Sequence, residues 1–555
     1  EAARVPGPEN PGVSGIRVPG GATEGRLPVA PQSYAAALPS LSAMPGAPRA
    51  GPSTPYYFIG EGSGYQGLAR RAGGAAGIED RVNPSSFSLP GEGELRRLLG
   101  EITREPARAP LAVSPAVSPA DYYFIEPPAS PAVSAVPSVP EGARDAFDVQ
   151  AVRRDFPILG ERVHGRPLIW LDNAATTQKP QAVLDRLAHF YAHENSNIHR
   201  AAHDLAARAT DAYEGARSKV ARFLGATSAE EIVFLRGATE AINLVAQSWG
   251  RQNIREGDEI VVSHLEHHAN IVPWQQLAAE RGARIRVIPV DDTGQILLDE
   301  YTKLLNDRTR LVAISQVSNA LGTVTPVREI VELAHRAGAR ALVDGAQAVS
   351  HMRVNVQALD ADFYVFSGHK VFAPTGIGIL YGRRELLDRM PPWQGGGNMI
   401  ADVTFERTVY NPAPARFEAG TGSIADAVGL GAAIDYLERI GLENVSRYEH
   451  DLLAYATRGL QGVPGLHLIG TARDKASVLS FVLDGYRPED VGSALNEEGI
   501  AVRAGHHCAQ PILRRFGLEA TVRPSLAFYN TCEEVDTLLG VLQRLARGRA
   551  TFLPR

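Results

Sequence analysis

From about residue 148 onward, short apolar runs of strand length alternate with stretches in which apolar residues recur at helical spacing. The runs of strand length lie at 168–171, 231–235, 259–263, 284–289, 309–315, 341–344 and 362–367. Strands that alternate with helices usually pair in parallel, and helices then cover both faces of the sheet. The pattern therefore predicts an α/β fold with a mostly parallel sheet between two layers of helices.

A different arrangement follows Gly422. A predicted helix at 425–440 leads into a region with a strand at 477–482 and a helix at 489–498, which is typical of a smaller α+β domain. Near the start of the ordered region, a helix at 149–155 is ended by Pro157. We therefore expect a helical segment over 146–164 that joins the small domain, a large domain over 165–425 and the small domain over 426–555.

The first 145 residues have a different composition from the rest. They are rich in Pro, Gly, Ala and Ser, and no Lys occurs before Lys179. Such a segment buries too little apolar surface to offset its chain entropy, so we expect a disordered arm. Two Tyr-Tyr-Phe-Ile clusters, at 56–59 and 122–125, and an amphipathic stretch at 86–99 interrupt it. They are either docking motifs for a partner or chance clusters that pack weakly on the protein itself.

The overall composition is that of a soluble globular protein. The chain has 555 residues, 44% hydrophobic residues and a formal net charge of -6, which predicts two to four domains and does not indicate nucleic-acid binding. No apolar run of about 18 residues predicts a membrane span. The start of the sequence lacks a basic segment followed by an apolar one, so we expect no secretory signal and a cytoplasmic protein. No metal site is predicted.

Cysteine is rare in this chain. Only Cys508 and Cys532 occur, which excludes a disulfide framework and makes a lone cysteine a candidate nucleophile. Cys508 lies in a loop rich in Gly and His, whereas Cys532 is better explained as a buried, inert residue. We therefore expect Cys508 to be the reactive thiol.

A lysine and an aspartate follow two of the predicted strands. Asp344 ends the run at 341–344, and Lys370 lies in the turn just after the run at 362–367. Ligands of open α/β sheets bind at the carboxyl ends of strands. A lysine there can form a Schiff base with a carbonyl cofactor, and an aspartate can hold a protonated pyridine nitrogen, as pyridoxal phosphate chemistry requires. Taken singly, each residue is explained as well by a solvated loop lysine or a helix cap.

A candidate phosphate site lies at 236–239. There a strand is followed by a Gly-containing turn and a helix that starts near Glu240. Free backbone N–H groups and the helix dipole both face an anion at such a position. One turn of this kind is a weak signal by itself.

The loops together resemble those of a known family over residues 148–547. The sequence is similar to fold-type I pyridoxal phosphate enzymes of the class V aminotransferase group, and specifically to SufS-type (group II) cysteine desulfurases. The motifs are Leu-Asp-Asn-Ala-Ala-Thr-Thr at 171–177, Asn-Ile-His-Arg at 197–200, Arg-Gly-Ala-Thr-Glu-Ala-Ile-Asn at 236–243, Glu-His-His-Ala-Asn-Ile-Val-Pro-Trp at 266–274, Val-Ser-Asn-Ala-Leu-Gly-Thr at 317–323, Val-Asp-Gly-Ala-Gln at 343–347, Ser-Gly-His-Lys at 367–370 and Arg-Ala-Gly-His-His-Cys at 503–508.

The resemblance implies a set of cofactor contacts. Lys370 would attach pyridoxal 5'-phosphate and move protons at the substrate's α-carbon, and Asp344 would keep the pyridine nitrogen protonated. His267 would stack on the ring and transfer protons, while His268 would be structural. The remaining cofactor contacts implied are Gln347 at the phenolic oxygen, Thr239, Ser367 and His369 at the phosphate, and Thr421 at the phosphate of the neighbouring subunit.

The resemblance also implies substrate contacts and a nucleophile. Arg523 and Asn319 would bind L-cysteine, and Arg523 suits its carboxylate because a guanidinium pairs with a carboxylate through two parallel hydrogen bonds. Arg503, His199 and Arg200 match further positions around the pocket, although Arg503 is equally well explained as a surface or hairpin residue. Cys508 would take the sulfur as a persulfide, and the neighbouring His506 and His507 would favour its thiolate.

The implied partners are a second copy of the chain and a sulfur acceptor similar to SufE or SufU, as in iron–sulfur cluster assembly. The arm over 1–145 resembles the N-terminal extensions of cysteine desulfurases that are packaged in encapsulin shells, so we expect a shell protein as a partner. Three alternatives stay open. They are a selenocysteine lyase, another class V aminotransferase, and a cargo or scaffold protein whose arm recruits the sulfur acceptor.

Overall fold

The computed structural model describes residues 147–199 and 203–550 of the 555-residue chain. The predicted arm over 1–145, with its two Tyr-Tyr-Phe-Ile clusters and its amphipathic stretch, lies outside the described residues, and so does Arg200.

The described residues form the following helices and strands. The helices are α1 (Val149–Arg154), α2 (Gln181–His193), α3 (Asp204–Leu224), α4 (Ala238–Val245), α5 (Val272–Arg281), α6 (Leu298–Leu304), α7 (Val327–Arg336), α8 (Arg384–Arg389), α9 (Ile424–Ile440), α10 (Leu442–Gln461), α11 (Pro488–Glu497), α12 (Gln510–Arg515) and α13 (Cys532–Ala550). The strands are β1 (Arg162–Val163), β2 (Arg166–Pro167), β3 (Ile169–Trp170), β4 (Ile232–Leu235), β5 (Glu259–Ser263), β6 (Arg284–Ile288), β7 (Thr309–Ser315), β8 (Arg340–Asp344), β9 (Phe363–Ser367), β10 (Gly378–Gly382), β11 (Ile400–Val403), β12 (Thr408–Tyr410), β13 (Leu466–Ile469), β14 (Ser480–Leu483), β15 (Ile500–Ala501), β16 (Arg503–Gly505) and β17 (Thr521–Arg523).

A seven-stranded sheet forms the centre of the molecule. Its strands lie in the order β4-β10-β9-β8-β7-β5-β6. Strand β10 is antiparallel to both of its neighbours, and the other six strands run in one direction. The predicted mostly parallel sheet is therefore confirmed, whereas strand β10 was not predicted.

Strand β9 shows why the sheet has helices on both faces. Its side chains alternate between two cores, since Tyr364 and Phe366 belong to one cluster of buried residues, and Phe363 and Val365 belong to another. All four side chains are fully buried. Burying one large apolar side chain contributes about 1.5–3 kcal/mol, so a strand of this composition is stable only between two apolar layers.

Glycines shape two positions that matter for the layout. Gly225 ends α3 in the left-handed conformation, with φ 67°, as a helix C-terminus commonly requires. At Gly345, just after β8, a Cβ atom would overlap the hydroxyl of Tyr364. That hydroxyl donates to Gln316 Oε1 over 2.7 Å. The close approach fixes the backbone directly after Asp344.

The carboxyl ends of three parallel strands meet at one edge of the central sheet. Ser315 at the end of β7 is paired with Asp344 at the end of β8, and Asp344 is paired with Val365 of β9. Strand β9 continues into a 3-10 turn, Gly368–Lys370. The lysine and aspartate that the sequence placed after nearby strands therefore follow two adjacent, parallel strands.

A second sheet lies in the C-terminal part of the chain. It has four antiparallel strands in the order β13-β14-β17-β16. A separate core, which includes Leu452, Phe481, Val522 and Leu538, joins this sheet to α10 and α13. The short strand β15 pairs in parallel with β3. The predicted strand at 477–482 corresponds to β14, and the predicted helix at 489–498 corresponds to α11.

Strands β11 and β12 form an isolated hairpin. Its side chains Val403, Phe405, Val409 and Tyr410 are exposed, and Phe405 is fully so. In the part of the chain that the structure describes, no helix is long and apolar enough to span a membrane.

Candidate active site

A cavity of about 480 Å³ lies at the carboxyl ends of β7, β8 and β9 and extends to the segments around β16 and β17. Eleven of the fourteen predicted site residues line it. These are Thr239, His267, Asn319, Asp344, Gln347, Ser367, His369, Lys370, Arg503, Cys508 and Arg523.

Asp344, which is buried, and Lys370, which is half-buried at the cavity, carry opposite charges. Burial lowers the pKa of Lys370 below its usual value, and the charge of Asp344 opposes that effect. Burial raises the pKa of Asp344, against a hydrogen bond from the Ala346 N–H and the charge of Lys370. The Ala346 bond to Asp344 Oδ1 measures 2.9 Å. A lysine with a lowered pKa is a better nucleophile towards a carbonyl group at neutral pH.

The turn between β4 and α4 forms one end of the cavity. The Ser367 hydroxyl accepts the Ala238 N–H at the start of α4 over 2.9 Å. A Cβ atom at Gly378 would lie 2.3 Å from the Gly237 Cα, so β10 and this turn are in close backbone contact. Burial, followed by the charges of Lys370 and Lys179, lowers the pKa of His369 to about 4. Neutral donors beside a helix N-terminus are suited to an anion such as phosphate.

His267 begins the 3-10 turn that follows β5. Its Nδ1 accepts the Ala269 N–H over 3.0 Å. Burial, then the positive charge of Lys370, lowers the pKa of His267 to about 3. The ring is therefore neutral at physiological pH, and its proton is on Nε2.

The fully buried carboxylate of Glu266 connects this turn to β7. It accepts the Ser315 N–H over 3.1 Å and the Ser315 hydroxyl over 2.6 Å. The Ser263 hydroxyl and the Asn270 amide also donate to it, over 2.5 and 2.6 Å. Burial raises the pKa of Glu266 to about 7, although these hydrogen bonds oppose it. Four hydrogen bonds hold the His267 turn in place against the strand end that lines the cavity.

Arg523 is almost completely buried and is held from two sides. Its Nη1 donates to the Asn319 carbonyl over 2.8 Å, and its Nη2 lies 3.3 Å from Asp172 Oδ1. The other carboxylate oxygen of Asp172 accepts Arg503 Nη2 over 2.8 Å. Burial lowers the pKa of Arg523 to about 10, and Asp172 opposes that shift. Within the described residues, Arg523 Nε and Asn319 Oδ1 are buried without a hydrogen-bond partner.

Cys508 is exposed at the cavity and lies in a tight turn between β16 and α12. The Cys508 N–H donates to His506 Nδ1 over 3.0 Å, and the Cys508 carbonyl accepts the His268 N–H over 2.8 Å. Burial, followed by the charges of Arg523 and Arg503, lowers the pKa of His507 to about 3. His507 is therefore neutral at physiological pH and does not act on the Cys508 thiolate through a positive charge.

The model of the family described as aminotransferase class-V matches residues 169–538. The chain belongs to this family. A cysteine desulfurase from Synechococcus elongatus is 67% identical over 445 residues, which cover 77% of this chain and 71% of the relative. A probable cysteine desulfurase 1 from Mycobacterium leprae is 56% identical over 510 residues, with 86% and 84% of the two chains covered. The structure of the cysteine desulfurase CsdA from Escherichia coli is similar with a TM-score of 0.68 and 40% identity, over 73% of this chain and 100% of that one.

The cavity fits pyridoxal 5'-phosphate, the cofactor implied by the resemblance to class V aminotransferases. The amine of Lys370 can react with the cofactor's aldehyde, and the buried carboxylate of Asp344 can pair with its pyridine nitrogen. The Ser367 hydroxyl and the start of α4 provide donors for a phosphate. The Gln347 amide donates to the Ala174 carbonyl over 2.6 Å, so the side-chain oxygen of Gln347 can accept a hydrogen bond from another group.

Three predicted residues are not part of this cavity in the described chain. His199 lines a separate cavity of about 360 Å³, where its Nε2 lies 2.9 Å from Glu214 Oε1. Thr421 is exposed, and its hydroxyl lies 3.5 Å from Asn197 Oδ1. Arg200 lies outside the described residues.

The expectation for Cys532 is wrong. This cysteine is exposed at the first position of α13, as Cys508 is exposed at the cavity. Burial, then the charges of Glu533 and Asp536, raises the pKa of Cys532 above its usual value. The thiol is therefore accessible but mostly protonated at neutral pH, so its environment does not activate it.

Sequence reasoning missed three residues that organise the class V site. Asp172 lies in the quoted motif at 171–177 but received no role, and it contacts both arginines. Glu266 lies in the quoted motif at 266–274, directly before His267, and it also received no role. Thr521, two positions before Arg523, contacts the ring of His507. An acid directly after the apolar run 168–171 was a usable signal for Asp172, and no pattern in the sequence indicates Thr521.

Proposed function

We propose that this protein is a SufS-type cysteine desulfurase that converts L-cysteine to L-alanine and holds the sulfur as a persulfide on Cys508. The observation that supports this most is the presence of Lys370, Arg523 and Cys508 around one cavity. A transaminating enzyme needs the first two residues only. A thiol in the same cavity supplies a group that attacks sulfur.

The chemistry divides among these residues. Bound pyridoxal 5'-phosphate withdraws electrons from the substrate's α-carbon. Lys370 holds the cofactor and moves the α-proton, and Asp344 keeps the pyridine nitrogen protonated. His267, whose Nε2 bears the ring proton, stacks on the ring and donates or accepts protons. Gln347 contacts the phenolic oxygen, and Thr239, Ser367 and His369 bind the phosphate.

Arg523 and Asn319 would bind the substrate, and Arg523 would bind its carboxylate. Support comes from the two buried polar atoms that have no partner among the described residues, Arg523 Nε and Asn319 Oδ1. Such atoms cost free energy unless a ligand or water satisfies them. The guanidinium matches a carboxylate, and the Asn319 oxygen matches an N–H or O–H donor of the substrate. Arg503, His199 and Arg200 are further candidates for substrate binding.

The transfer of sulfur from the substrate to Cys508 needs no external oxidant or reductant. The Cys508 thiolate forms an S–S bond with the substrate sulfur while the bond between that sulfur and the substrate Cβ breaks. The Cβ takes up a proton, and the product is alanine. Cys508 is left as a persulfide, which an acceptor thiol removes.

A short turn holds the nucleophile, so we propose that the acceptor must approach the enzyme. The Cys508 backbone is tied to His506 and His268 by hydrogen bonds of 3.0 and 2.8 Å. A thiol held in this way cannot move far, and it is exposed. A small acceptor similar to SufE or SufU fits this arrangement, with iron–sulfur cluster assembly as the consuming process.

We also propose a homodimer in which Thr421 contributes to the neighbouring subunit's phosphate site. The exposed apolar hairpin of β11 and β12 supports a partner surface, because contiguous exposed apolar groups commonly mark interfaces. The loop of Thr421 lies beside that hairpin, since the Gly420 N–H donates to the Gly397 carbonyl over 2.8 Å.

The domain roles follow from the same proposal. Residues 165–425 would bind the cofactor, and residues 426–555 would form the small domain with the Cys508 turn. Residues 146–164 would join the small domain. Two contacts support the packing of this segment on the small domain. The Phe147 ring lies 4.7 Å from that of Tyr448, and Arg153 Nη1 lies 2.8 Å from Glu534 Oε1.

For residues 1–145 we propose an arm that directs the enzyme into an encapsulin shell in the cytoplasm. The support is the composition of the arm and its two Tyr-Tyr-Phe-Ile clusters, which two sites on a shell would bind with avidity. Deletion of 1–145 followed by co-expression with the shell protein tests it. Packaging should be lost while cysteine turnover persists, and normal packaging of the truncated enzyme would contradict the proposal.

The decisive experiment combines spectroscopy with product analysis. The purified protein should be yellow, its spectrum should change with L-cysteine, and alanine and sulfide should form in the presence of a reductant. Lys370→Ala should lose the colour and the turnover. Cys508→Ser should keep the spectral response to L-cysteine but release no alanine, while Cys532→Ser, a matched control with an exposed thiol, should behave as the parent. Parent-level turnover by Lys370→Ala or Cys508→Ser would refute the proposed function.

A further inference from the structure

The turn that presents Cys508 has a costly backbone conformation. His507 and Cys508 both have φ 53°, and within the described residues this is the one place where two consecutive non-glycine residues have positive φ. The left-handed conformation is unfavourable for each such residue, because it brings Cβ close to the following carbonyl oxygen. Strain of this kind persists only where the surroundings hold the backbone in place.

Hydrogen bonds hold the turn from several sides. The His507 carbonyl accepts Asn319 Nδ2 over 2.6 Å, and the Cys508 carbonyl accepts the His268 N–H over 2.8 Å. These bonds fix the two peptide groups of the strained residues. They do not fix the side chain of His507, which is buried.

One contact orients the His507 ring. Its Nε2 lies 2.7 Å from the Thr521 hydroxyl, and both side chains are buried. In the part of the chain that the structure describes, His507 Nδ1 is buried without a hydrogen-bond partner. Thr521 belongs to β17 and is paired with Gly505 across the ladder from β16. The hydroxyl therefore ties the strained turn to the strand that also bears Arg523.

We propose that Thr521 and His507 are positioning residues for the Cys508 thiol. Their contact holds the left-handed pair, and with it the side-chain direction of Cys508, in register with the substrate site around Arg523. Neither residue needs to touch the reacting atoms. The inference rests on the proposed function only in that Cys508 is taken as the group that forms the S–S bond when the substrate's Cβ–S bond breaks.

The consequence is a separation between substrate binding and sulfur attack. Loss of the Thr521 hydroxyl removes the side-chain hydrogen bond of the buried His507 ring, which favours relaxation of the turn. Arg523 keeps its contacts with the Asn319 carbonyl and with Asp172, so cysteine should still bind. A displacement of about 1 Å at a reacting group costs on the order of 10²-fold in rate.

Thr521→Val and Thr521→Ser form a matched pair. Valine keeps the shape of threonine and removes the hydroxyl, whereas serine keeps the hydroxyl. In the cofactor-loaded full chain, Thr521→Val should lower kcat roughly 10- to 100-fold with KM for L-cysteine unchanged. Thr521→Ser should stay within a few-fold of the parent.

A second measurement does not depend on turnover. Amide hydrogen exchange without L-cysteine should quicken in the peptide over 504–511 of Thr521→Val, remain at the parent rate in Thr521→Ser, and stay unchanged in the central sheet of both. If the valine variant does not fold, Thr521→Ala takes its place in both measurements. A parent that makes no alanine would refute the proposed function, whereas this comparison of exchange rates would still test the inference.

Three results would overturn the inference. They are parent-level kcat in Thr521→Val, a loss of kcat that is matched by an equal loss of cysteine binding, and unchanged exchange over 504–511. A serine variant as impaired as the valine variant would also overturn it, because the hydroxyl would then not be the group that matters.

Discussion

Arg523 is a buried cation, and among the residues that the structure describes Asp172 is the one carboxylate in contact with it. Its Nη2 lies 3.3 Å from Asp172, and its Nη1 is used by the Asn319 carbonyl. A planar guanidinium satisfies these contacts and still presents Nε to a ligand, whereas a lysine ammonium is a single charged point. The identity of the residue, and not only its charge, should therefore matter for substrate binding.

We expect Arg523→Lys to raise KM for L-cysteine by about 10- to 100-fold, because one charge-assisted hydrogen bond contributes about 1.5–3 kcal/mol. The measurement is steady-state kinetics together with titration of the cofactor spectrum by L-cysteine. Arg514→Lys is the control, since Arg514 is exposed and pairs with Glu519 over 3.1 Å. Equal KM values in the two variants would contradict a role for Arg523 in carboxylate binding.

At the scale of helices and strands, a buried ion pair joins α3 to the segment before Thr421. Arg217 Nη1 lies 2.6 Å from Glu418 Oε1, and both side chains are buried. Glu418 also accepts the Phe234 N–H over 2.8 Å and the Tyr213 hydroxyl over 3.1 Å. The carboxylate thus connects α3, β4 and the chain segment that leads into α9.

Glu418→Gln should lower the free energy of unfolding by about 1.5–3 kcal/mol, because it removes charge-assisted hydrogen bonds from the buried Arg217 guanidinium, which keeps its contact with the partly exposed Glu214. Glu438→Gln is the matched control, since Glu438 pairs with the exposed Arg222 over 2.8 Å. That change should cost about 0–1 kcal/mol. Urea unfolding of both variants measures the difference, and equal midpoints would show that the Arg217 pair contributes no more than a surface pair.

A second charged cluster lies at the other end of β9, away from the cavity. Asp362 is fully buried and contacts His335 Nε2 over 2.7 Å and Arg340 Nη1 over 2.9 Å. Arg383 Nε lies 3.5 Å away, and Asp360 contacts His335 Nδ1 over 3.0 Å. The hydrogen bond to Asp362, followed by the smaller effect of Asp360, raises the pKa of His335 despite burial.

This raised pKa predicts how stability depends on pH. The protonated imidazole is stabilised in the folded state, so its contribution is fully present below the unfolded pKa of about 6.5 and is lost as pH rises through the higher folded value. His335→Asn should therefore cost on the order of 1–2 kcal/mol at acidic pH and less at alkaline pH. Denaturant unfolding of parent and variant at several pH values measures this. A gap that stays constant or grows with pH would contradict it.

Helices and strands that have a clear pattern of apolar residues in their own sequence could be predicted without a structure. Strand β9 is an unbroken apolar run, and Lys370 follows it directly, so both could be located without a structure. Strand β10 was missed because it begins and ends with the glycines 378 and 382, which locally favour a turn. Strands β15, β16 and β17 have two or three residues each and show no periodicity. Tertiary pairing, and not propensity, creates such strands.

The candidate site shows the same limit. Residues in dense motifs, such as Asp344 and Cys508, could be proposed from the chain alone. The contacts of Asp172 with Arg523 and of Thr521 with His507 could not, because they depend on which loops the fold brings together. The charge state of His507 was also inaccessible, since burial determines it.

For the whole molecule, the proposed dimer makes cofactor retention dependent on protein concentration. If Thr421 of one subunit completes the phosphate site of the other, dilution to monomers removes a contact to the cofactor. Sedimentation velocity with simultaneous detection of visible absorbance should show colour lost as the dimer dissociates. A monomer that stays yellow and fully active would contradict the arrangement.

The position of β10 has a consequence for how the protein acquires its cofactor during folding. Leu235, at the end of β4, is paired with Gly378 at the start of β10. The turn at 236–237 therefore packs against β10 only after the chain through residue 378 has been synthesised and the strands β5 to β9 are assembled. Contacts so distant in sequence slow folding, because a large loop must close before they form. A nascent chain released before residue 378 would possess Lys370 and Asp344 but no completed anion site, and would therefore be a poor acceptor of pyridoxal phosphate.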